Sequence, residues 1–407
     1  MDKVTYFKTF NINLLFILAL FIDFIALMLM INETSIYAKE ARGFFENSQL
    51  SFHIANFGVK LCEFFFNDPL LNDFGARLPF VILHILSCIL MYNISLLVLK
   101  NAPQALFCVI LFMLIPGVSI EALIISNVEI LTFTSLLIIY YQLRYDRILY
   151  VMFIFVVFLD AGGAILTLSL FFYSLIYRKS KTLIFAIICF GVNMSIFSPI
   201  HGVPHAYILD ILGSLLLLFS PGLFIYYVAI LYSWTFHNKA SLLNLIPFVG
   251  FIFVFLLSTR QQVQIQSFLP ELSVALPIFV KKAMFNINSR LPRFRFRYKV
   301  RIYLVLFFLI LGNIGLFGNK ITYFFVKEKN FAYSFYGAKE VAKELYKRNI
   351  TYIDVPNKDL FLRLRFYGIN AMAQNSPPKY KLIESKSGDI SIIYNGVKVT
   401  SFEVVKN

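Results

Sequence analysis

Long apolar stretches recur through the first 318 residues, and they constrain the fold more than any other feature of this sequence. A helix needs roughly twenty apolar residues to cross the hydrocarbon layer of a membrane. The sequence therefore predicts an all-α membrane protein, a bundle of about eleven transmembrane helices. The stretches that reach or approach this length lie at 11–31, 79–99, 103–117, 122–143, 148–162, 163–177, 181–199, 210–234, 241–258, 268–282 and 301–318.

Composition supports a membrane environment and argues against a nucleic-acid partner. Hydrophobic residues make up 59% of the chain and charged residues only 14%, well below the roughly 25% charged residues of soluble domains. The net charge of +15 arises partly from the basic run between Lys281 and Arg301. This run lies between two apolar stretches, where basic residues orient a span and contact anionic lipid. We expect membrane lipid as a partner and no nucleic acid.

The distribution of lysine and arginine predicts how the chain is oriented, because short cytoplasmic loops are rich in these residues. With the N-terminus in the cytoplasm, 17 of them fall in cytoplasmic segments and five in the opposite loops, counted up to residue 318. The first apolar run is too long for a signal-peptide core and precedes no small-residue cleavage site, so we expect a retained span. An odd number of spans then places the C-terminus outside the cytoplasm.

Two polar segments are predicted to face the extracytoplasmic side. Residues 1–318 form the transmembrane domain, in which 32–78 is the first extracytoplasmic loop, and 319–407 form a small C-terminal extracytoplasmic α/β domain. In that domain "YGAKEVAKELYKR" and "KDLFLRLRFYG" have helical periodicity. The segments "ITYIDV", "KYKLIES" and "DISIIYNG" are typical of strands. The domain has no Gly-rich phosphate loop and no nucleophile elbow.

Ionisable residues at the outer membrane face are energetically expensive and often mark substrate paths. Glu33 follows the first apolar run directly, where a partly desolvated carboxylate is a good proton acceptor. The alternative is that Asn32 caps a helix N-terminus with Glu33 in its first turn. Arg77 precedes the second span, where it either holds a lipid phosphate or extends to the interface as an anchor. His53 lies upstream of it.

Further polar residues lie in later outer loops. Glu121 and Glu129 lie within "SIEALIISNVEIL", and Arg260 begins "RQQVQIQSFLPEL". His201 and His205 have the spacing of a helical metal pair, but Pro204 between them disfavours a helix. The sequence therefore predicts no definite metal site, although a divalent metal remains open. The four cysteines form no CxxC motif, and Cys62 is the plausible extracytoplasmic thiol.

These motifs resemble the GT-C superfamily of membrane glycosyltransferases, in particular the bacterial branch of protein O-mannosyltransferase-like proteins and lipid A aminoarabinose transferases. "NETSIYAKEARGFF" is similar to the acidic motif that follows the first span in that branch, and "ARLPF" to the motif that enters the second span. "SNVEILTF" is similar to its second acidic position, and the segment from Arg260 to Pro277 to its late Arg and Pro pattern. The small extracytoplasmic domain also fits.

The resemblance implies an inverting sugar transfer from a polyprenyl-phosphate donor to a glycan, lipid or protein acceptor. It takes place at the outer face of the bacterial inner membrane. The implied catalytic residues are Glu33, as general base on the acceptor, and Glu129, which orients the acceptor or assists Glu33. Arg77 and Arg260 are implied to bind the donor phosphate. Substrate-binding candidates are Asn32, Tyr37, His53, His201 and His205.

The chain departs from the family pattern at three positions. Asn32 stands in place of the first Asp, Glu129 in place of an Asp, and Ile54 in place of the proline that follows the histidine. Such changes fit a shifted base, a different substrate or a lost activity. The other classes that remain open are a flippase or transporter for a lipid-linked glycan, a surface-polysaccharide polymerase or ligase, and a non-catalytic scaffold.

Overall fold

In the computed structural model, which describes residues 3–46, 49–197, 206–318, 335–371, 380–385 and 388–406, the chain is 75% helical. The first six α-helices are α1 (Lys3–Glu33), α2 (Ala38–Glu46), α3 (Leu50–Phe66), α4 (Asn72–Leu99), α5 (Ala102–Met113) and α6 (Pro116–Leu123). The next are α7 (Val128–Tyr145), α8 (Tyr150–Val157), α9 (Gly163–Ile176), α10 (Ser180–Ile196), α11 (Ile208–Phe219) and α12 (Pro221–His237). Those that follow are α13 (Leu242–Ser258), α14 (Leu269–Ser273), α15 (Leu276–Asn288), α16 (Pro292–Phe317), α17 (Ala338–Lys347) and α18 (Lys358–Phe366).

Three helical stretches among the described residues are long and apolar enough to cross a membrane. They are Asn11–Glu33, Pro69–Leu99 and Pro292–Phe317, and two bent helix pairs would raise the number to five. The exposed side chains of α1 include Leu18, Phe21 and Ile22, as expected of a helix whose surroundings are lipid. The chain is therefore a helical membrane protein, and the number of eleven spans stays a prediction.

One predicted span is broken in the structure. Residues 210–234 were expected to form a single helix, but α11 and α12 meet at a bend of 104°. Ser220 at the junction has a φ of +67°, outside the helical region. Pro221 then starts α12, since it lacks the N–H that a continuing helix requires. A similar bend of 62° separates α5 from α6, which begins at Pro116.

The chain forms two compact units. The first contains Met1–Phe24, Ile82–Ala122 and Ser126–Asn313, and the second contains Ile25–Val81, Leu123–Ile125 and Ile314–Asn407. Residues of the predicted first loop and of the C-terminal segment thus share one unit. The first loop is itself helical, with α2 and α3 between α1 and α4.

Close packing of two glycines joins α3 to α4 in the second unit. A Cβ built on Gly75 would lie 2.7 Å from the carbonyl oxygen of Gly58. A Cβ on Gly58 would in turn meet the carbonyl oxygen of Gly75. The two backbones approach this closely because neither residue has a side chain.

The C-terminal part has a three-stranded antiparallel sheet in the order β1-β3-β2, made of β1 (Tyr380–Glu384), β2 (Ile390–Tyr394) and β3 (Val397–Lys406). The two predicted helices are confirmed as α17 and α18, and two of the predicted strands as β1 and β2. The strand predicted at "ITYIDV" is wrong, because Tyr352 and Asp354 form only isolated bridges. The third strand was not predicted.

The core of this part forms from one face of α17 and one face of the sheet. Ala338, Val341, Ala342 and Leu345 are buried at helical spacing, and α17 packs against β2 and α18. Phe402 of β3 is buried opposite its partner Ile390 of β2. The sheet therefore has one apolar face, as an antiparallel sheet packed on a helix requires.

Candidate functional site

Arg77 lies in the first full turns of α4 and is only 1% exposed. Its Nη2 donates to Glu40 Oε2 at 3.1 Å, and its Nη1 donates to Asp73 Oδ1, one helical turn earlier, at 3.2 Å. Both carboxylates are equally buried. A buried guanidinium is tolerated when opposite charges and hydrogen bonds surround it, so Arg77 sits in a site built for it.

Arg77 also fixes the backbone that follows α1. Its Nη1 donates to the carbonyl oxygen of Thr34 at 2.9 Å, and its Nη2 to that of Ser35 at 3.4 Å. Thr34 and Ser35 directly follow the end of α1, where backbone carbonyl groups have no N–H partner within the helix. The arginine thus replaces the missing donors at the end of α1.

Glu40 belongs to α2 and is fixed from three directions. Beyond Arg77, its Oε1 accepts from the N–H of Ile125 at 2.8 Å, and its Oε2 accepts from the N–H of Tyr37 at 3.3 Å. Burial raises the pKa of the Glu40 carboxyl, while Arg77 and these two N–H groups oppose the rise. Burial likewise raises the pKa of Tyr37.

Asp73 connects Arg77 to the C-terminal segment. Its Oδ2 accepts from the Tyr367 hydroxyl at 2.7 Å, and the Lys339 ammonium lies 3.5 Å from the same oxygen. The Tyr367 oxygen also accepts from the N–H of Ile36 at 3.1 Å. Burial, followed by the charge of Asp73, raises the pKa of the Tyr367 hydroxyl well above 10.

A second buried arginine, Arg363 of α18, also bonds to the turn between α1 and α2. Its Nε donates to the carbonyl oxygen of Ile36 at 2.7 Å, and its Nη2 donates to Ser35 Oγ and to the carbonyl oxygen of Tyr336. Two arginines therefore donate hydrogen bonds to the four-residue turn between α1 and α2. With both terminal nitrogens of Arg77 bonded to protein acceptors, its contacts favour a structural role over the phosphate contact inferred from the sequence.

The other predicted residues of the second unit range from exposed to buried. Asn32 and Glu33 are exposed at the C-terminal end of α1. The interpretation of Asn32 as a helix N-cap is therefore wrong, because the helix continues through both residues. His53 is exposed on α3, and Tyr37 is half-buried before α2, with its ring 4.9 Å from that of Phe335. Cys62 is buried as a free thiol.

In the first unit, Glu129 lies in the first turn of α7 and is fully buried. Its Oε1 accepts from the Ser87 hydroxyl at 3.2 Å and lies 4.0 Å from His84 Nδ1. Glu121 of α6 is also buried, and its Oε2 accepts from Thr132 at 3.1 Å. Among the described residues, Glu129 Oε2 and Glu121 Oε1 have no hydrogen-bond partner.

Two ionisable residues beside Glu129 were missed by the sequence analysis. Asp23 of α1 and His84 of α4 are 3.0 Å apart, measured from Oδ2 to Nε2, and Cys88 Sγ lies 3.5 Å from the same Nε2. A signal for them existed, because Asp23 and His84 each interrupt an apolar stretch, and polar groups in such stretches tend to be functional. Cys88 follows His84 by one helical turn.

Of the remaining predicted residues, Arg260 is exposed just after α13 in the first unit. His201 and His205 lie outside the described residues. The structure therefore gathers Glu129 with His84 and Ser87, and gathers Arg77 with Glu40 and Asp73.

Comparison with known proteins gives no assignment: no family model, no curated protein and no solved structure matches this chain. From its fold and its buried residues, this chain is a helical membrane protein that carries ionisable residues buried among apolar helices.

Proposed function

We propose that this chain is a glycosyltransferase of the GT-C type that moves a sugar from a polyprenyl-phosphate donor to an acceptor at the outer face of a bacterial inner membrane. In this proposal the helices form a bundle of about eleven spans. The N-terminus is cytoplasmic and the C-terminal segment extracytoplasmic, as the distribution of Lys and Arg indicates. The acceptor is a glycan, a lipid or a protein.

The observation that carries the proposal is the burial of Glu129. A carboxylate with one unpartnered oxygen inside an apolar helical unit is expensive and is retained for a function. Glu129 is also the residue that the motif resemblance assigned to the second acidic position. Its neighbours His84 and Ser87 are polar groups of the kind that orient such an acid. A plain structural role would be served as well by an apolar residue.

The proposed reaction is a single displacement. The acceptor oxygen forms a bond to the anomeric carbon, the bond from that carbon to the phosphate oxygen breaks, and the acceptor proton passes to a carboxylate. Glu33, exposed at the end of α1, takes this proton and contributes about 10²–10⁴-fold to the rate. Glu129 orients the reacting groups, and Arg260 stabilises the leaving polyprenyl phosphate.

The motif resemblance also assigned a phosphate contact to Arg77 and substrate contacts to Asn32, Tyr37 and His53. Because Arg77 is buried and bonded to protein groups, we assign it a positioning role in this reaction in place of the phosphate contact. By holding the turn after α1, it fixes the place from which Glu33 projects. Arg77 is then a positioning residue.

The test is transfer of a radiolabelled sugar from a polyprenyl phosphate by membranes containing the chain. Glu33→Gln should lower transfer by at least about 10²-fold, the contribution of a general base. Glu129→Gln should also lower transfer, because the reacting groups lose their orientation. Glu46→Gln, which changes an exposed carboxylate of α2, is the matched control and should leave transfer intact. Normal transfer by both first variants would refute the proposed roles.

A second candidate, a transporter or flippase for a lipid-linked glycan, is favoured by one observation. Two helix pairs are broken, with bends of 62° and 104°, and discontinuous helices line the substrate sites of many transporters. The same labelled donor separates the two classes. Movement of intact donor across sealed vesicles without transfer would favour the transporter, whereas a labelled acceptor would favour the transferase.

A further inference from the structure

Asp23, His84 and Cys88 bring three different ligand atoms together in the first unit. Asp23 Oδ2, His84 Nε2 and Cys88 Sγ all lie within 4.8 Å of one another. Two of the separations, 3.0 Å from oxygen to nitrogen and 3.5 Å from nitrogen to sulfur, approximate the edges of a tetrahedron around an ion. Such edges follow from metal–ligand bonds of about 2.0 Å to nitrogen or oxygen and about 2.3 Å to sulfur.

Local helix geometry produces this arrangement. His84 and Cys88 are four residues apart on α4, so both side chains lie on one face of the helix. Asp23 faces them from α1. His84 and Cys88 are buried, whereas the Asp23 side chain is 16% exposed.

We propose that these three residues bind a divalent transition-metal ion of the Zn²⁺ class. Imidazole, thiolate and carboxylate together are the donors that this ion prefers, whereas Mg²⁺ and Ca²⁺ require oxygen ligands. A thiolate and a carboxylate also balance the two positive charges of the ion. The loaded group is neutral, which suits a place among apolar helices where net charge is costly. Three protein ligands leave a fourth position for water or another oxygen.

Glu129 completes the arrangement from the far side of the imidazole. Metal binding at Nε2 moves the imidazole proton to Nδ1 and releases the Cys88 thiol proton to solvent. Nδ1 has no hydrogen-bond partner among the described residues and lies 4.0 Å from Glu129 Oε1. A carboxylate beside the second ring nitrogen is the usual support of a metal-bound histidine. Glu129 would therefore position His84.

A hydrogen-bonded group without metal is the competing explanation. It accounts for the contacts of His84 Nε2 with Asp23 and with Cys88 but leaves His84 Nδ1 and Glu129 Oε2 without hydrogen-bond partners among the described residues. A metal at Nε2 also fixes the imidazole proton on Nδ1, on the side that faces Glu129. The inference does not depend on the proposed sugar transfer, and its test needs no activity assay.

The experiment is titration of the purified, metal-free full chain with Co²⁺, followed by absorption spectroscopy. Wild type should show a thiolate-to-cobalt charge-transfer band that saturates at one ion per chain, and added Zn²⁺ should abolish it. Cys88→Ser should lose the band. Cys108→Ser removes another buried thiol of the same unit and is the matched control that should keep it.

Two further variants guard against misfolding as an explanation. Glu129→Gln should retain the charge-transfer band but weaken Zn²⁺ affinity by about 10–100-fold, as loss of a supporting carboxylate does. Asp23→Asn should keep the folded elution profile and weaken affinity further. Absence of a band in folded wild type, or a band of full strength in Cys88→Ser, would overturn the proposal.

Discussion

The Arg77 guanidinium donates to Glu40 Oε2 over 3.1 Å, with the two side chains 2% and 1% exposed. The same guanidinium reaches Asp73 and the carbonyl groups that follow α1. Several segments that are distant in the sequence therefore depend on one side chain. Because a buried charge that loses its partner stays uncompensated, this pair should matter more to stability than any pair at the surface.

Arg77→Ala should lower the free energy of unfolding by about 3–5 kcal/mol, the effect of removing one partner from a buried ion pair. The loss leaves Glu40 and Asp73 without their shared cation. Thermal unfolding of the detergent-solubilised protein measures the effect. Arg42→Ala, which breaks the exposed pair with Asp359, is the control and should shift the unfolding temperature little. Equal shifts in both variants would contradict the structural role of Arg77.

Tyr367→Phe should change the alkaline stability of the protein. The raised pKa of Tyr367 means that the folded state holds the phenolic proton more tightly than the unfolded state. Its contribution is thus fully present below about pH 10, the ordinary value, and is lost as the pH rises toward the folded-state pKa. Above about pH 10 the free energy of unfolding of Tyr367→Phe, measured by denaturant titration, should depend less on pH than that of wild type.

At neutral pH the same substitution should cost about 1–3 kcal/mol, because Asp73 and the N–H of Ile36 lose a hydrogen-bond partner. Tyr352→Phe alters an exposed tyrosine of the same segment and should leave both stability and its alkaline dependence unchanged. If the two variants respond alike to pH, Tyr367 does not titrate with folding.

Arg363→Lys should loosen the C-terminal segment. An ammonium cannot reproduce the fork by which Arg363 reaches the carbonyl groups of Ile36 and Tyr336 and the Ser35 hydroxyl. Limited proteolysis of the purified protein should then cleave α17 or α18 faster than in wild type. Arg348→Lys, at an exposed position facing Asp389, serves as the control. If Arg363→Lys is cleaved no faster than wild type, Arg363 does not stabilise the turn between α1 and α2.

Gly75→Ala should destabilise the second unit. The added Cβ would lie 2.7 Å from the carbonyl oxygen of Gly58, and backbone atoms cannot turn away as a side chain can. We expect a loss of about 1–3 kcal/mol, typical of overpacking, measured as thermal stability. Gly213→Ala, where a Cβ meets nothing within 4 Å, should be neutral or slightly stabilising. If Gly75→Ala and Gly213→Ala have equal thermal stability, α3 and α4 do not approach each other closely at Gly58 and Gly75.

Parts of the C-terminal fold could be predicted because their signals are local. The apolar spacing of Val341 and Leu345 is enough to define α17, and the alternating residues of β2 define that strand. The missed strand β3 also had a signal, since Asn395 and Gly396 both have positive φ, and this dipeptide favours a two-residue hairpin turn. The segment from 350 to 355 has strand-like residues, but within the described part of the chain it pairs only through single bridges, one to Asn370 and one to Lys381 of β1.

The sequence by itself determined that the chain is a helical membrane protein, because apolar length and low charge decide which solvent a segment prefers. It also singled out Arg77 and Glu129 as unusual polar residues. Only the tertiary structure decided their partners: Glu40 and Asp73 for the one, Ser87 and His84 for the other. Such partners are distant in the sequence and depend on how helices pack, which no local periodicity encodes.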